Sequence, residues 1–107
     1  MSAAKIRELN DAFRTTMTGG RVIMTAGVQA LGEKMVASVL TAVRGFTAFS
    51  ADNDPHKEHD FGSFEIAGRK FFFKLDYYDS AMEFGSEDPA DPSKTTRVLT
   101  IMLASEY

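Results

Sequence analysis

The chain contains no cysteine. That excludes a disulfide framework, thiolate metal sites and a cysteine nucleophile. No apolar run reaches membrane-spanning length, and Met1 to Arg7 lacks the unbroken apolar stretch of a secretory signal. A cytoplasmic protein without membrane contact is therefore expected. Several catalytic and binding signatures are missing too. Thr18-Gly19-Gly20 precedes a strand-like run instead of linking strand to helix, and no Gly-Lys-Ser/Thr follows, which speaks against a phosphate loop. No His-Glu-x-x-His helix occurs, and neither Ser63 nor Ser86 sits in a Gly-x-Ser-x-Gly elbow. An EF-hand starting at Asp52 fails, with Lys57 at the glycine position and Ser63 at the final glutamate position. There is no internal repeat and no low-complexity tract.

What is present suits one folded domain. At 107 residues, with 44% hydrophobic and 25% charged residues, the chain can bury a core without disulfides or a structural metal. The net charge of −3 conceals an asymmetry: residues 1–49 carry +3, residues 50–92 carry −7, and the last fifteen carry +1. Phosphate contacts need a basic face, so nucleic acid is not expected as a partner of the acidic middle. A basic protein or a cation suits it better.

Ser2 is a plausible N-cap for a first helix, with Ile6, Leu9, Phe13 and Met17 at helical spacing and Lys5, Arg7, Glu8, Asp11 and Arg14 opposite. Thr18-Gly19-Gly20 ends it, and Arg21 to Ala26 reads as a short buried strand. A second helix carries the broad apolar stripe Val28, Leu31, Met35, Val36, Val39, Leu40, Val43 and Phe46. Gly32 costs about 1 kcal/mol inside a helix, so the start is placed at Gly32 or Glu33, with Val28 to Leu31 as a separate turn.

Asp60 to Ile66 and Phe71 to Tyr78 form a hairpin through Ala67-Gly68. A two-residue loop sets Phe64 opposite Phe71 and Glu65 opposite Lys70. Continuing that ladder places His59 opposite Asp76 and Glu58 opposite Tyr77. Asp79 to Lys94, with two Asp-Pro steps, is a loop. Arg97 to Ala104 is apolar on both faces, the pattern of a strand buried between layers. The expected fold is α+β, in the order α-β-α-β-β-β: two helices on one face of a four-stranded, mainly antiparallel sheet.

Both histidines and four carboxylates fall in Asp52 to Gly62. The catalytic candidates are His59, Asp60 and Asp76, with a carboxylate orienting the imidazole for acid–base work. His56, His59, Asp60 and Asp54 are the candidate ligands for a divalent metal, although a His-x-x-His pair outside a helix has low specificity. The same stretch also reads as turn chemistry, because Asp-Asn-Asp-Pro side chains bond to nearby backbone N–H groups. Glu58, Phe72, Tyr78 and Asp79 are the candidate interaction residues.

The chain resembles a family of small bacterial proteins classed only as a domain of unknown function, frequent in alphaproteobacterial genomes, plasmids and integrative elements. The resemblance rests on Ile6 to Arg14, Gly20-Arg21-Val22, Asp52-Asn53-Asp54-Pro55 and Glu58-His59-Asp60-Phe61-Gly62. It continues through Asp76-Tyr77-Tyr78-Asp79, Gly85 to Pro92 and Arg97 to Tyr107. The family's pattern does not demand His56-Lys57, so His59 is the histidine to test first. The resemblance implies an accessory role, modulating another protein such as a host-defence or plasmid-maintenance component. The expected function is accordingly binding to another macromolecule, a protein, with no cofactor. The alternative is a metal-dependent hydrolase using the region of His59 and Asp60.

Overall fold

The computed structural model describes residues 2–107. Helix α1 spans Ala3–Thr16 and starts as expected, with the Ser2 hydroxyl accepting from the Lys5 N–H at 3.2 Å. It ends on Met17 in the left-handed region, whose N–H closes on the Phe13 carbonyl at 2.7 Å. Strand β1 is Arg21–Met24. A short helix α2, Ala26–Gln29, follows under the Thr25 cap. Gly32, at φ 95°, then opens helix α3, Glu33–Arg44. The separate turn before α3 is thus a helix of its own, which raises the count from the expected two helices to three.

Strands β2 (Phe61–Ile66), β3 (Arg69–Tyr78) and β4 (Thr96–Leu103) complete the sheet, and a 3₁₀ turn, Ala104–Glu106, ends the chain. The hairpin register is the one the loop length predicts, with Phe64 opposite Phe71 and Glu65 opposite Lys70. Ala67 and Gly68 both take positive φ, 52° and 78°, as a two-residue turn matching strand twist requires.

The sheet order is β1-β4-β3-β2. The β2–β3 and β3–β4 pairs are antiparallel, but β1 runs parallel to β4. The expected mainly antiparallel sheet is therefore mixed. Strand β4 is buried on both faces and takes a central position, so it needs a neighbour on each side. The hairpin fills one side and β1 is the strand left for the other. Its direction is invisible to period-two alternation, which reads the same either way.

One hydrophobic cluster joins Phe13, Val28, Val39, Val43 and Phe46 to Phe71, Phe73, Leu75, Leu99 and Ile101. All the strand residues in that cluster share one face of the sheet, so the three helices pack on the same side. Gly62 permits this closure, since a Cβ there would overlap the Phe73 ring and crowd Phe46. On the opposite face lie Phe61, Phe72, Lys74, Asp76, Tyr78 and Met102. The chain end folds back over that face: Glu106 accepts from Thr25 Oγ1 at 2.6 Å and from the Leu103 N–H at 2.8 Å, and Tyr107 reaches Phe72. Among the described residues, no helix is long and apolar enough to cross a membrane.

Candidate functional site

The segment from Ala48 to Asp60 is held by its own side chains. Asn53 Oδ1 accepts from the Ser50 N–H at 2.9 Å, and its amide donates to the Ala48 carbonyl at 3.0 Å. Asp54 Oδ1 accepts from the N–H groups of Glu58 and His59, at 3.0 and 3.1 Å. These are the turn bonds that the Asp-Asn-Asp-Pro sequence predicts. They hold Lys57 and His59 in the left-handed region, at φ 58° and 56°, a conformation that costs a non-glycine residue of order 1 kcal/mol or more.

That backbone turn at His59 overturns the expected pairing with Asp76. The ladder survives through the Asp60 carbonyl, which accepts from the Leu75 N–H at 2.8 Å, and stops there. The His59 ring leaves the sheet and stacks face to face on Phe49, with centroids 3.8 Å apart. Its Nδ1 lies 2.9 and 3.1 Å from the two oxygens of Asp11, and its Nε2 lies 3.7 Å from Asp54 Oδ2. Asp76 instead pairs with Lys74 on the far face of the sheet at 3.0 Å, and this carboxylate raises the Lys74 pKa.

Around His59 opens a pocket of about 320 Å³, lined by Arg7, Phe49, Ser50, Ala51, Asp54, Lys57 and His59. Arg7 Nη1 donates to the Lys57 carbonyl at 3.0 Å, fastening α1 to the turn. Behind the pocket, Arg14 Nη2 meets Asp11 Oδ1 at 3.1 Å, so Asp11 bridges a guanidinium and an imidazole. Arg14 Nη1 reaches the carbonyls of Val43, Arg44 and Phe46 at the end of α3, at 2.8 to 3.3 Å. They are main-chain oxygens at the C-terminal end of the helix, the Val43 carbonyl also accepting from the Phe46 N–H at 3.3 Å, and a cation there suits the helix dipole.

A second polar group lies beside this one. Asn10 Nδ2 donates to the Glu58 carbonyl at 3.0 Å and to Tyr77 Oη at 2.8 Å. Tyr77 Oη in turn donates to Glu58 Oε1 at 2.8 Å. Glu58 and Tyr77 therefore meet through a side-chain hydrogen bond and not as the strand pair the continued ladder predicts, since that ladder stops at Asp60. Asn10 Oδ1 accepts from Arg97 Nε at 2.8 Å, and Arg97 Nη2 donates to the Pro89 carbonyl. Burial pushes the Tyr77 hydroxyl well above its ordinary range and lowers the Arg97 pKa. Every hydrogen-bonding position of the Asn10 amide facing this network is used.

The candidate residues thus separate. His59 and Asp54 line the pocket; His56 is exposed on the turn outside it. Asp60 is half-buried at the start of β2, and burial, with the charges of Glu58 and Asp54, raises its pKa. Glu58 is engaged internally by Tyr77, and Asp79 Oδ1 accepts from the Glu83 N–H in its own loop. Phe72 and Tyr78 lie on the sheet face away from the helices. Among the described residues, no group of three or more His, Asp or Glu side chains is placed to hold a metal ion.

Sequence reasoning missed Asp11, Arg14, Asn10 and Arg97. Helical spacing puts Arg14 and Asp11 on the polar side of α1, yet the buried face of the helix is Ile6, Asn10, Phe13 and Arg14. That set also has helical spacing, a legible signal masked by its two polar members. Arg97, a single charge in an otherwise apolar strand, was the other available sign.

The sequence profile of the family described as protein of unknown function (DUF3768) matches residues 24–106. The chain belongs to this family. The DUF3768 match takes in Phe49, Asp54, His59, Tyr77 and Arg97, while the α1 residues Asn10, Asp11 and Arg14 lie before it. No curated protein and no solved structure matches the chain.

Proposed function

We propose that this domain binds another protein through the sheet face opposite its helices. The observation that carries this reading is the aromatic group on that face. Phe61 and Phe72 lie 5.1 Å apart, and Tyr107, 75% exposed, sits 5.4 Å from Phe72 and 6.0 Å from Phe61. Burying such rings contributes about 25 cal/mol per Å² of apolar surface, and aromatic residues dominate interface hot spots. Lys70 stands 5.5 Å over the Phe72 ring. The partner that fits is a protein with an apolar patch bordered by carboxylates. The basic partner expected from the acidic middle suits this face less well, because Glu58 is engaged internally and Asp79 serves its own loop. Modulation of a host-defence or plasmid-maintenance protein, the role that the bacterial family resemblance implies, is the use proposed for the face.

The test places a photo-crosslinking phenylalanine analogue at position 72 and, separately, at position 83 in the acidic loop, in the cells that encode the protein. A discrete adduct from position 72, absent from position 83 and lost with Lys70→Glu, is the expected result. Equal adducts from both positions, or none from position 72, would sink the reading.

A hydrolytic reading keeps one observation. Asp11 takes the place expected of Asp76 and holds Nδ1 of His59, leaving Nε2 toward the pocket, as a general base requires. A divalent metal would draw on His59 and Asp54, with Asp60 and His56 farther along the turn. Hydrolysis of p-nitrophenyl esters and phosphates, with and without Mn²⁺ or Zn²⁺, tests it. Activity that persists in His59→Ala would remove His59 from any such role.

A further inference from the structure

Strand β2 is an edge of the sheet, because the order β1-β4-β3-β2 gives it a neighbour on one side only. Which of its main-chain groups face outward follows from the ladder. The Asp60 carbonyl accepts from the Leu75 N–H, so Asp60 and Leu75 are a hydrogen-bonded pair. Antiparallel pairs alternate, so Gly62, Phe64 and Ile66 also bond to β3, opposite Phe73, Phe71 and Arg69. The N–H and C=O groups of Phe61, Ser63 and Glu65 point the other way. None of these groups has a hydrogen-bond partner among the described residues.

An open edge is a template for another strand, and folded proteins commonly blunt it with proline, lysine, a bulge or a cover. Strand β2, Phe-Gly-Ser-Phe-Glu-Ile, has neither proline nor lysine, and its pairing with β3 runs without a bulge. The opposite edge differs. There β1 is only four residues long, and the Gln29 side-chain amide donates to its Met24 carbonyl at 2.7 Å.

The β2 edge is also complementary to itself. Antiparallel about a two-fold axis at Ser63, two copies pair Ser63 with Ser63 and, twice, Phe61 with Glu65. All three outward residues of each copy are used, and each pair exchanges two N–H···O=C bonds. Every other two-fold register keeps at most two such pairs, because His59 and Ala67, at positive φ, end the strand on either side. A register centred on Glu65 also sets two carboxylates directly opposite each other, which is unfavourable. In the Ser63 register the partly buried Phe64 lies across from Gly62 of the second copy, a position with no side chain of its own.

We infer that two copies of this chain pair through β2, antiparallel and centred on Ser63, so that their four-stranded sheets become one. The helices of both copies then lie on one side of the joined sheet, and both aromatic groups lie on the other. The edge is separate from the aromatic face, and a partner can occupy either without the other.

Sedimentation equilibrium of the 107-residue chain between about 10 μM and 1 mM should show a monomer–dimer equilibrium. Charge then tests the register, since no other two-fold pairing puts residue 63 opposite itself. Ser63→Lys sets two ammonium groups across the axis, and Ser63→Glu two carboxylates. Each variant alone should dimerise about fivefold more weakly or worse, and an equimolar mixture should recover the loss as a heterodimer. Amide hydrogen exchange of the unsubstituted chain is a second reading that no folding defect can disturb. The Phe61, Ser63 and Glu65 amides should slow as concentration rises, while Gly62 and Phe64, already bonded to β3, should not change. A monomer at about 1 mM would leave the edge to a strand of a different protein and overturn the inference. So would a dimer whose affinity neither variant changes, a mixture of the folded variants that stays monomeric, or protection that does not alternate along β2.

Discussion

Arg14 and Arg97 are each 3% exposed, and both face the helix side of the sheet, yet they are accommodated differently. Arg14 has an ionised partner, Asp11, and three main-chain carbonyls at the end of α3. It also lies over the rings of Phe49 and Phe73, at 5.3 and 5.8 Å. Arg97 makes no ion pair among the described residues. Its guanidinium rests on a neutral amide, one carbonyl and the face of Tyr77 at 5.3 Å. The planar fork is what both sites use; a compact ammonium could not reach oxygens set so far apart. The difference shows that a guanidinium can be buried without a carboxylate when fixed oxygens surround it, at the cost of a lowered pKa. The fit is incomplete even at the richer site, where Arg14 Nε is buried without a partner among the described residues.

If partner number decides, Arg14→Met has the larger effect. It strips the carbonyls that end α3 and should cost about 3–5 kcal/mol of unfolding free energy, read from urea denaturation. Arg97→Met leaves Asn10 Oδ1 and the Pro89 carbonyl unmet and should cost about 2–4 kcal/mol in the same assay. A larger loss for Arg97 than for Arg14 would break the comparison. Tyr77→Phe keeps the ring under Arg97 and removes only the hydroxyl between Asn10 and Glu58. A loss of about 1–2 kcal/mol is expected, and a loss as large as that of Arg97→Met would mean the network acts as one unit.

The smallest effect comes from Asp60, the contrasting case of a half-buried charge without a cation against it. Its folded pKa is raised above the ordinary 3.8, so its contribution to stability is full below that value and is lost as pH rises through the folded pKa. Asp60→Asn should therefore melt slightly above the wild type at pH 7, with the gap closing below about pH 4. A variant that melts lower at neutral pH would show that the carboxylate has a compensating partner.

The hairpin register was legible because loop length and alternation act locally: Ala67-Gly68 takes the positive φ angles, and Phe64 meets Phe71. The start of α3 was legible from Gly32, and the bonds of Asn53 and Asp54 from turn chemistry. The site was only half visible. His59 and Asp54 stood out by residue type, but Asp11, the partner that orients His59, is 48 residues away on another element. A single left-handed residue redirected the imidazole from Asp76 to Asp11, and alternation cannot register such a turn.

By itself, then, the sequence determined which segments become helix or strand and which side chains share a face, because periods of 3.6 and 2 are properties of the local chain. Tertiary structure alone decided that β1 runs parallel to β4, that Asn10 and Arg97 are interior, and that Asp11, Arg14, Phe49, Asp54 and His59 converge. Those outcomes depend on which distant oxygens and rings the packed elements bring within hydrogen-bonding or van der Waals reach. A polar residue is tolerated inside only where such partners arrive, and its own neighbours in the chain do not say whether they will.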